Sequence, residues 1–126
     1  MRLKMRIFKN KEFHKWQKEV KLNDLTLKKS IYEIENGLYE ANLGGNVYKK
    51  RVPLDNRGKS GGARTIIAFK LNNNAFFIYG FSKNERSNIT PRENNALKEL
   101  AKLYFSYDEP KIDHAIKSGE LIEVLL

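Results

Sequence analysis

Apolar residues in the first third of the chain recur every three or four positions, which is the spacing of an amphipathic helix. The pattern predicts one helix over about Lys11–Val20 and a second over about Asp24–Asn36. The pair Asn23-Asp24 is typical of a helix start, and Gly37 suits the position just after a helix end. Ahead of both helices, we expect Arg6–Phe8 to form a short edge strand.

The period changes to two after Gly44-Gly45, which interrupt the chain. Three β-rich runs follow, at Val47–Val52, Arg64–Leu71 and Ala75–Ser82. The third run is apolar on both faces, as expected for a strand that is covered on both sides. Because Asn72–Asn74 is a turn signal, the last two strands are predicted to form a hairpin.

Helix signals return at Thr90–Glu93, a capping box with proline at the first helical position. A last short helix is predicted to open at Asp108 or Glu109 and to end at Gly119, and Leu121–Leu126 to add a final strand. The element order predicts an α+β fold in one domain over residues 1–126. It would consist of two N-terminal helices, an antiparallel sheet of three to five strands, and C-terminal helices.

The charge is strongly basic and unevenly placed. The chain has 24 lysines and arginines against 15 aspartates and glutamates, a net charge of +9. Residues 1–35 carry a net charge of +5, residues 36–86 carry +6, and residues 87–126 carry −2. A basic surface of this kind favours a polyanion as partner, either nucleic acid or an acidic protein. The alternative is a generally cationic protein whose charge only keeps it in solution.

The residue types that are absent exclude several classes of chemistry. Without cysteine there is no disulfide, no thiol catalysis and no cysteine-based zinc site. His14 and His114 are far apart in sequence, so we expect no metal site and no cofactor. No apolar run approaches the roughly 18 residues of a membrane span, and no apolar stretch follows the charged N-terminus. We therefore expect a cytoplasmic protein with no membrane partner.

Positive charge is densest between residues 49 and 64. Six basic residues fall within these 16 positions, with Asp55 among them: Lys49, Lys50, Arg51, Arg57, Lys59 and Arg64. If adjacent strands pair, these charges converge at one end of the sheet. Converged cations are unfavourable unless an anion joins them, and phosphate suits both the planar fork of arginine and the point charge of lysine. The segment therefore predicts a phosphate-binding site.

Arg57–Gly62 is predicted to be a glycine-rich loop between two of these strands. Glycines let backbone N–H groups approach a phosphate closely, although a flexible, solvated connection would have the same composition. Gly58-Lys59-Ser60 is similar to the end of a nucleotide-binding P-loop. That pattern requires a glycine where Pro53 stands and a helix after the serine, so a nucleotide triphosphatase is not supported.

A second group of polar residues lies at the end of the third β-rich run: Tyr79, Lys83, Asn84, Glu85 and Arg86. Tyr79 could stack on an RNA base or simply be a core aromatic residue. Lys83 and Glu85 could transfer protons, or could form a surface ion-pair turn with Arg86. Because a hairpin returns its strand ends to one place, this turn and the glycine-rich loop are expected to share a site.

Three segments together resemble the RelE/HigB toxins of bacterial type II toxin–antitoxin modules. They are the basic strand Val47–Val52, the G-K-x-G-G-x-R pattern in Gly58–Ile67, and the K-N-E turn that ends Tyr79–Glu85. The likeness is closest to the HigB-like branch and covers about half of the chain by motif, and the element order extends it to most of the rest.

The resemblance implies a fold of two helices, an antiparallel sheet and a C-terminal helix, similar to compact microbial ribonucleases. It implies a toxin that cuts mRNA without a metal, typically in the ribosomal A site, and so inhibits translation and arrests growth. It also implies an antitoxin from the same operon, which we expect to be of helix-turn-helix type, that neutralises the toxin.

The resemblance carries over to individual residues. Lys49 and Arg51 match the family's basic strand, Arg64 its phosphate-contacting arginine, and Lys83 and Glu85 its turn. The expected catalytic residues are therefore Arg51, Lys59, Arg64, Lys83 and Glu85. The expected RNA contacts are Tyr48, Lys49, Lys50, Arg57, Tyr79 and Arg86. The catalytic aromatic or acidic residue that some members carry near the C-terminus has no clear counterpart in this chain.

The expected reaction is attack of a ribose 2′-OH on the adjacent phosphorus. Arg64 and Arg51 would neutralise the phosphate oxygens, Glu85 or Lys83 would accept the 2′-OH proton, and Lys59 or Tyr79 would assist the 5′ oxygen. Three alternatives stay open. They are a ParE-type toxin that binds DNA gyrase and cleaves nothing, a non-catalytic nucleic-acid-binding protein, and an inactive toxin relative.

Overall fold

A computed structural model describes residues 5–54 and 58–125, and for residues 58–61 it describes the backbone but not the side chains. Within these ranges the chain forms four helices and six strands. In chain order they are β1 (Ile7–Asn10), α1 (Lys11–Glu19), α2 (Asp24–Glu35), β2 (Ala41–Gly44), β3 (Val47–Leu54), β4 (Gly58–Ala68), β5 (Ala75–Ser82), α3 (Pro91–Phe105), α4 (Glu109–Ser118) and β6 (Leu121–Glu123).

The six strands form one mixed sheet in the order β2-β3-β4-β5-β1-β6. The α+β class is confirmed, but the prediction of an antiparallel sheet of three to five strands was wrong, because β1 runs parallel to β5. Arg6–Phe8 was also wrong as an edge strand: β1 begins at Ile7 and lies between β5 and β6. Strand β1 has only four residues, which are too few for an alternating pattern to show that it lies inside the sheet. The predicted C-terminal strand is confirmed as β6.

The helices follow the predicted pattern closely because their end signals are strong. Asn23 caps α2 by accepting a hydrogen bond from the Thr26 N–H at 2.8 Å. At α3, Thr90 and Glu93 form the predicted capping box. Gly119 ends α4 in the left-handed conformation with φ 83°, where a residue with a Cβ would be strained.

Two connections differ from the predictions. Gly44-Gly45 do not merely interrupt the chain: Gly44 ends β2, and Gly45-Asn46 form the turn of a β2–β3 hairpin, with φ of 61° and 62°. The predicted loop at Arg57–Gly62 was wrong from Gly58 onward, since residues 58–62 belong to β4. Pairing of this part of β4 with β3, where Gly58 is the partner of Leu54, overrides the weak strand propensity of the glycines. Arg57 lies outside the described residues.

The sheet is the middle layer of the molecule, with helices on both faces. On one face, α1 and α2 cover it with the buried residues Phe13, Leu27, Ile31 and Ile34. On the other, α3 and α4 supply Ala101, Tyr104, Ile112 and Ala115. Strand β5 is buried on both sides, as its sequence predicted. No helix in the described part of the chain is long and apolar enough to cross a membrane.

A register shift in β5 decides which face its last residues occupy. Ile66 pairs with Tyr79 whereas Ile67 pairs with Phe77, so Ile78 is an extra residue between them. As a result, Ile78, Tyr79 and Phe81 all pack on the α3 side. Gly80 then faces α1, where a Cβ would lie 2.3 Å from the Trp16 ring, so only glycine fits.

Candidate functional site

Three cations from two strands share one carboxylate on the α3 side of the sheet. Glu40 directly precedes β2, and its N–H donates to the Lys49 carbonyl of β3 at 2.8 Å. Its carboxylate accepts hydrogen bonds from Nε of Arg51 on β3 and from Nε of Arg64 on β4, the latter at 3.0 Å. The Lys49 Nζ is 3.5 Å from the same carboxylate. We call Glu40, Lys49, Arg51 and Arg64 the Glu40 cluster.

The pairing of the strands explains why a carboxylate is needed at this position. Arg51 and Arg64 are direct partners across β3 and β4, and like charges placed opposite each other destabilise a sheet. Partial burial by itself raises the pKa of Glu40, but hydrogen bonds from Arg51 and Arg64, with the charges of Arg64 and Lys49, outweigh burial and lower it below the ordinary value. Glu40 is therefore ionised at neutral pH.

Arg64 is an unusual member of this cluster because its side chain is only 4% exposed. Its Nε is satisfied by Glu40, but among the described residues no acceptor contacts its buried Nη1. A buried donor without an acceptor costs about 1–3 kcal/mol. The arrangement thus leaves a guanidinium with unused hydrogen-bonding capacity beside two further cations, which is suited to an anionic oxygen.

A second network lies beside the Glu40 cluster, on the same face. Arg86 donates from Nη1 to the Tyr79 hydroxyl at 3.1 Å and to Glu93 at 2.8 Å, and from Nε to the Asn88 carbonyl at 3.0 Å. The hydrogen bond from Arg86 and the backbone N–H of Thr90 lower the pKa of Glu93 to about 2. The hydrogen bond to Glu93 raises the pKa of Arg86 above its already high ordinary value.

Asn88 connects the two networks. Its side-chain oxygen lies 3.3 Å from the Lys49 Nζ, while its carbonyl accepts from Arg86. The segment between β5 and α3 is therefore tied to β3, and the start of α3 is tied to Tyr79 through Arg86 and Glu93. Cations, an ionised carboxylate and a tyrosine hydroxyl thus share one surface built on strands and on a helix start.

The sequence matches the family model described as the RelE toxin of the RelE/RelB toxin–antitoxin system, over residues 5–124. The chain belongs to the RelE toxin family. Membership makes it a toxin-family protein of a toxin–antitoxin system, with an antitoxin as its implied partner. A search among curated proteins gives no significant match.

Of the site residues expected from the RelE/HigB likeness, the structure brings together five. Lys49, Arg51 and Arg64 meet at Glu40, and Tyr79 and Arg86 lie in the neighbouring network. Tyr79 is only partly buried, so its ring is not confined to the core. Arg57 and the side chain of Lys59 lie outside the described residues.

Two expected RNA contacts lie on the other face of the sheet. Lys50 is buried, and its Nζ is 3.1 Å from Glu33 of α2. Tyr48 packs against Tyr39, with ring centroids 4.8 Å apart, and against Phe69. Because side chains alternate along a strand, neither residue can join Lys49 and Arg51. The structure therefore separates Tyr48 and Lys50 from the Glu40 cluster.

The K-N-E turn of the RelE/HigB likeness is also separated from the cluster. Lys83, Asn84 and Glu85 are exposed in the turn after β5. Asn84 and Glu85 line a cleft on the α1 side of the sheet, together with Glu19, Lys21 and other residues near the end of α1. The turn and the glycine-rich loop were expected to share one site. Residue 57 and the side chains of residues 58–61 lie outside the described part of the chain, so this expectation stays a prediction.

Sequence reasoning missed three residues of this surface: Glu40, Asn88 and Glu93. A signal for Glu40 was present, because a hairpin that turns just after Gly44 pairs Ala41 with Lys49 and so brings the preceding residue, Glu40, next to β3. Glu93 had been recognised as part of a capping box, and its second role as the partner of Arg86 had no sequence signal. Asn88 lies in an irregular segment, where no pattern predicts contacts.

Proposed function

We propose that this chain is an mRNA endoribonuclease toxin that cuts RNA without a metal ion, in the cytoplasm and on the ribosome. Family membership supports the toxin role, and the observation that carries the RNA role is the buried Arg64, whose Nη1 contacts no acceptor in the described part of the chain, beside Lys49 and Arg51. A single-stranded RNA backbone would supply the phosphate oxygens that this cationic surface lacks.

In the proposed reaction a ribose 2′-OH attacks the adjacent phosphorus in line. Arg64 and Arg51 would neutralise the negative charge that develops on the phosphate oxygens, as preorganised cations do. Arg64 is held by the sheet and by Glu40, so it needs little reorganisation at the moment of reaction. Presentation of the message in the ribosomal A site would supply much of the remaining geometry.

Tyr79 is proposed to serve the leaving oxygen. Its hydroxyl accepts a hydrogen bond from Arg86, so its own proton is available for donation. Arg86 is held by Glu93 and Asn88, and it therefore acts as a positioning residue for Tyr79 more than as a contact to RNA. Glu85 is assigned no proton transfer because it lines a cleft on the α1 side of the sheet, and Lys83 is assigned none because it makes no hydrogen bond or ion pair with the Glu40 cluster in the described part of the chain.

The deciding experiment compares induction of the wild-type chain with induction of Arg64→Ala, and maps mRNA 5′ ends in each culture. We expect wild type to arrest growth and to produce new 5′ ends within coding sequences, and Arg64→Ala to do neither. Lys117→Ala on α4 is the control for removal of a positive charge. Arg64→Lys keeps the charge but loses the guanidinium fork, so it should be folded and strongly impaired. Equal cleavage by Arg64→Ala would refute the proposal.

A ParE-type toxin that binds DNA gyrase is the second candidate. It is favoured by one observation: Asn84 and Glu85 of the K-N-E turn line a cleft on the α1 side of the sheet, so Glu85 loses the catalytic role first expected for it. The same induction distinguishes the two functions, because a gyrase-binding toxin would produce DNA damage and leave mRNA intact. The antitoxin is proposed to be a helix-turn-helix protein that covers the Glu40 cluster in either case, and a HigB-like assignment fits the first function.

A further inference from the structure

We propose that Glu40 is the proton acceptor of the reaction: its carboxylate takes the 2′-OH proton of the RNA once a phosphate has bound to Arg51 and Lys49 beside it. This inference rests on the proposed ribonuclease function. Sequence patterns pointed to Glu85 or Lys83 for this role. Glu85 lines a cleft on the α1 side of the sheet, and among the described residues no hydrogen bond or ion pair joins Lys83 to the Glu40 cluster.

Glu40 lies among the cations that would bind the phosphate. Arg51 and Arg64 bind it by hydrogen bonds, and the Lys49 Nζ is 3.5 Å away. A phosphate held by these cations would lie next to the Glu40 carboxylate, and the attacking 2′-OH belongs to the ribose whose 3′ oxygen carries that phosphate. The Glu40 side chain is 20% exposed, so an RNA strand can reach it.

Glu93, another carboxylate on this surface, already accepts hydrogen bonds that stabilise the fold. Glu93 accepts hydrogen bonds from Arg86 and from the Thr90 N–H at 2.8 Å, and these hold its pKa at about 2. Losing them would break both the capping box and the link to Tyr79. A proton acceptor must be free to take a proton without such a cost, and Glu40 is the better candidate.

Charge compensation explains how a carboxylate among three cations can act as a base. In the free protein the cations stabilise its charged form, which makes it ionised but weakly basic. A phosphate group brings a negative charge to Arg51 and Lys49, the two members of the cluster that are least tied to the sheet interior. Glu40 then loses part of its cationic surroundings and becomes more basic at the moment when the 2′-OH is beside it.

The cleavage step transfers two protons and exchanges one P–O bond for another. The 2′-OH proton passes to Glu40, the 2′ oxygen forms a bond to phosphorus, and the bond from phosphorus to the 5′ oxygen breaks. The 5′ oxygen leaves with the proton of the Tyr79 hydroxyl. The products are a 2′,3′-cyclic phosphate and a 5′-hydroxyl end, and Glu40 and Tyr79 return to their starting forms by exchange with water.

The backbone of Glu40 is fixed to β3, which supports its role as proton acceptor. Its backbone N–H is hydrogen-bonded to the Lys49 carbonyl, so the residue extends the β2–β3 hairpin instead of lying in a free loop. Groups that are placed by strands keep their geometry better than groups on loops. The carboxylate is therefore held in register with the cations that would bind phosphate.

The test compares Glu40→Gln with wild type in two measurements on the full-length chain. One is the rate of cleavage of a ribosome-bound mRNA at saturating enzyme. The other is the affinity for a fluorescent single-stranded oligonucleotide with 2′-deoxyribose, which cannot be cut. Because glutamine removes the charge that competes with phosphate, we expect tighter binding. Because it removes the base, we expect cleavage to fall by about 10²- to 10⁴-fold.

These opposite changes separate catalysis from structure. If Glu40→Gln binds more tightly and cleaves as fast as wild type, Glu40 is only a counterion and the proposal is overturned. If it neither binds nor cleaves, Glu40 holds the site together and the proposal is again overturned. Loss of cleavage in Glu85→Gln alone would assign the role to the turn. Glu99→Gln, an exposed change on α3, is the matched control.

The dependence of the cleavage rate on pH is a further test, because a residue with only a structural role would not change the shape of this profile. The wild-type cleavage rate should fall on the acid side as Glu40 becomes protonated, and the residual rate of Glu40→Gln should lack this acid limb. If wild type itself cleaves no RNA on or off the ribosome, the proposed function fails together with this inference. If wild type cleaves and only the Glu40 results disagree, the inference alone fails.

Discussion

Some charged residues in this protein stabilise the fold and others are available to a partner. The surroundings of each side chain show which role it has. Lys9 is 3% exposed and donates to Gln17 at 2.7 Å and to Asp24 at 2.9 Å, which ties β1 to α1 and to the start of α2. Lys50 ties β3 to α2 through Glu33 in the same way. These lysines stabilise the fold, so a count of basic residues overstates the charge that is available to a partner.

At Glu93, the ion pair with Arg86 makes stability depend on pH. The pKa of Glu93 is about 2 in the folded chain and near its ordinary value of 4.5 when unfolded, so its contribution is complete above about pH 4.5 and is lost as pH falls towards 2. Glu93→Gln keeps a capping-box residue but removes the charge. We expect wild type to have the higher Tm at pH 7 and the difference to vanish near pH 2, as measured by circular dichroism.

The difference in Tm between wild type and Glu93→Gln reports on Glu93 alone, although other carboxylates also titrate in this pH range. Asp24, Glu40 and Glu123 each have a lowered pKa because of cationic or amide neighbours, and they contribute equally to both proteins. A Tm difference that stays constant between pH 7 and pH 2 would show that the Arg86–Glu93 pair does not stabilise the fold.

Among the secondary-structure elements, two asparagines cap helices in different surroundings and allow a controlled comparison. Asn10 accepts from the Phe13 N–H at the start of α1, and it also donates to the Ile78 carbonyl at 3.0 Å within the core. Asn23 caps α2 at the surface. We expect Asn23→Ala to lower the free energy of unfolding by about 1 kcal/mol, the usual cost of a lost cap.

Asn10→Ala should cost about 2–3 kcal/mol, since it loses a cap and leaves the buried Ile78 carbonyl without its donor. Urea unfolding of both variants, with unchanged m-values, measures the difference. Equal destabilisation of the two variants would mean that the bond from Asn10 to β5 contributes nothing to stability.

The elements that could be predicted from the sequence are those that contain a long segment of regularly spaced apolar residues and strong signals at their ends. The bounds of Ala75–Ser82 were predicted without error, and α2 differs by one residue at its end. The strands β1 and β2 have four residues each, too few for a period to show their place in the sheet. The parallel pairing of β1 with β5 depends on chain topology, which local patterns do not contain.

The candidate site was predictable in its cations and not in its carboxylate. Convergence of Arg51 and Arg64 followed from pairing of neighbouring strands. Separation of Lys49 from Lys50 follows from alternation along β3, but the sequence does not show which face is covered by α2. The extra residue at Ile78 moved Tyr79 to the α3 side, and a bulge of this kind has no sequence signal here.

At the scale of the whole molecule, the sheet divides the positive charge between two helix-covered faces. Residues 36–86 carry a net charge of +6, and the Glu40 cluster on the α3 side lies within this segment. The C-terminal third carries −2, and one of its carboxylates, Glu93, holds Arg86 beside Tyr79. The acidic third therefore organises the basic surface through a specific ion pair, in addition to lowering the net charge.

This division predicts different salt dependence for two neighbouring lysines. Single-stranded RNA releases counterions in proportion to the phosphates that a protein neutralises, with a slope of about 0.7 per phosphate in a plot of log affinity against log salt concentration. Lys49→Met should lower that slope by about 0.7, because Lys49 lies in the Glu40 cluster. Lys50→Met should leave it unchanged, because Lys50 is buried against Glu33 on the other face.

Both slopes can be measured by fluorescence anisotropy with a 2′-deoxy oligonucleotide at several salt concentrations. The variants are first shown to be folded by circular dichroism. Equal changes in the two variants would mean that RNA does not bind on the α3 side of the sheet.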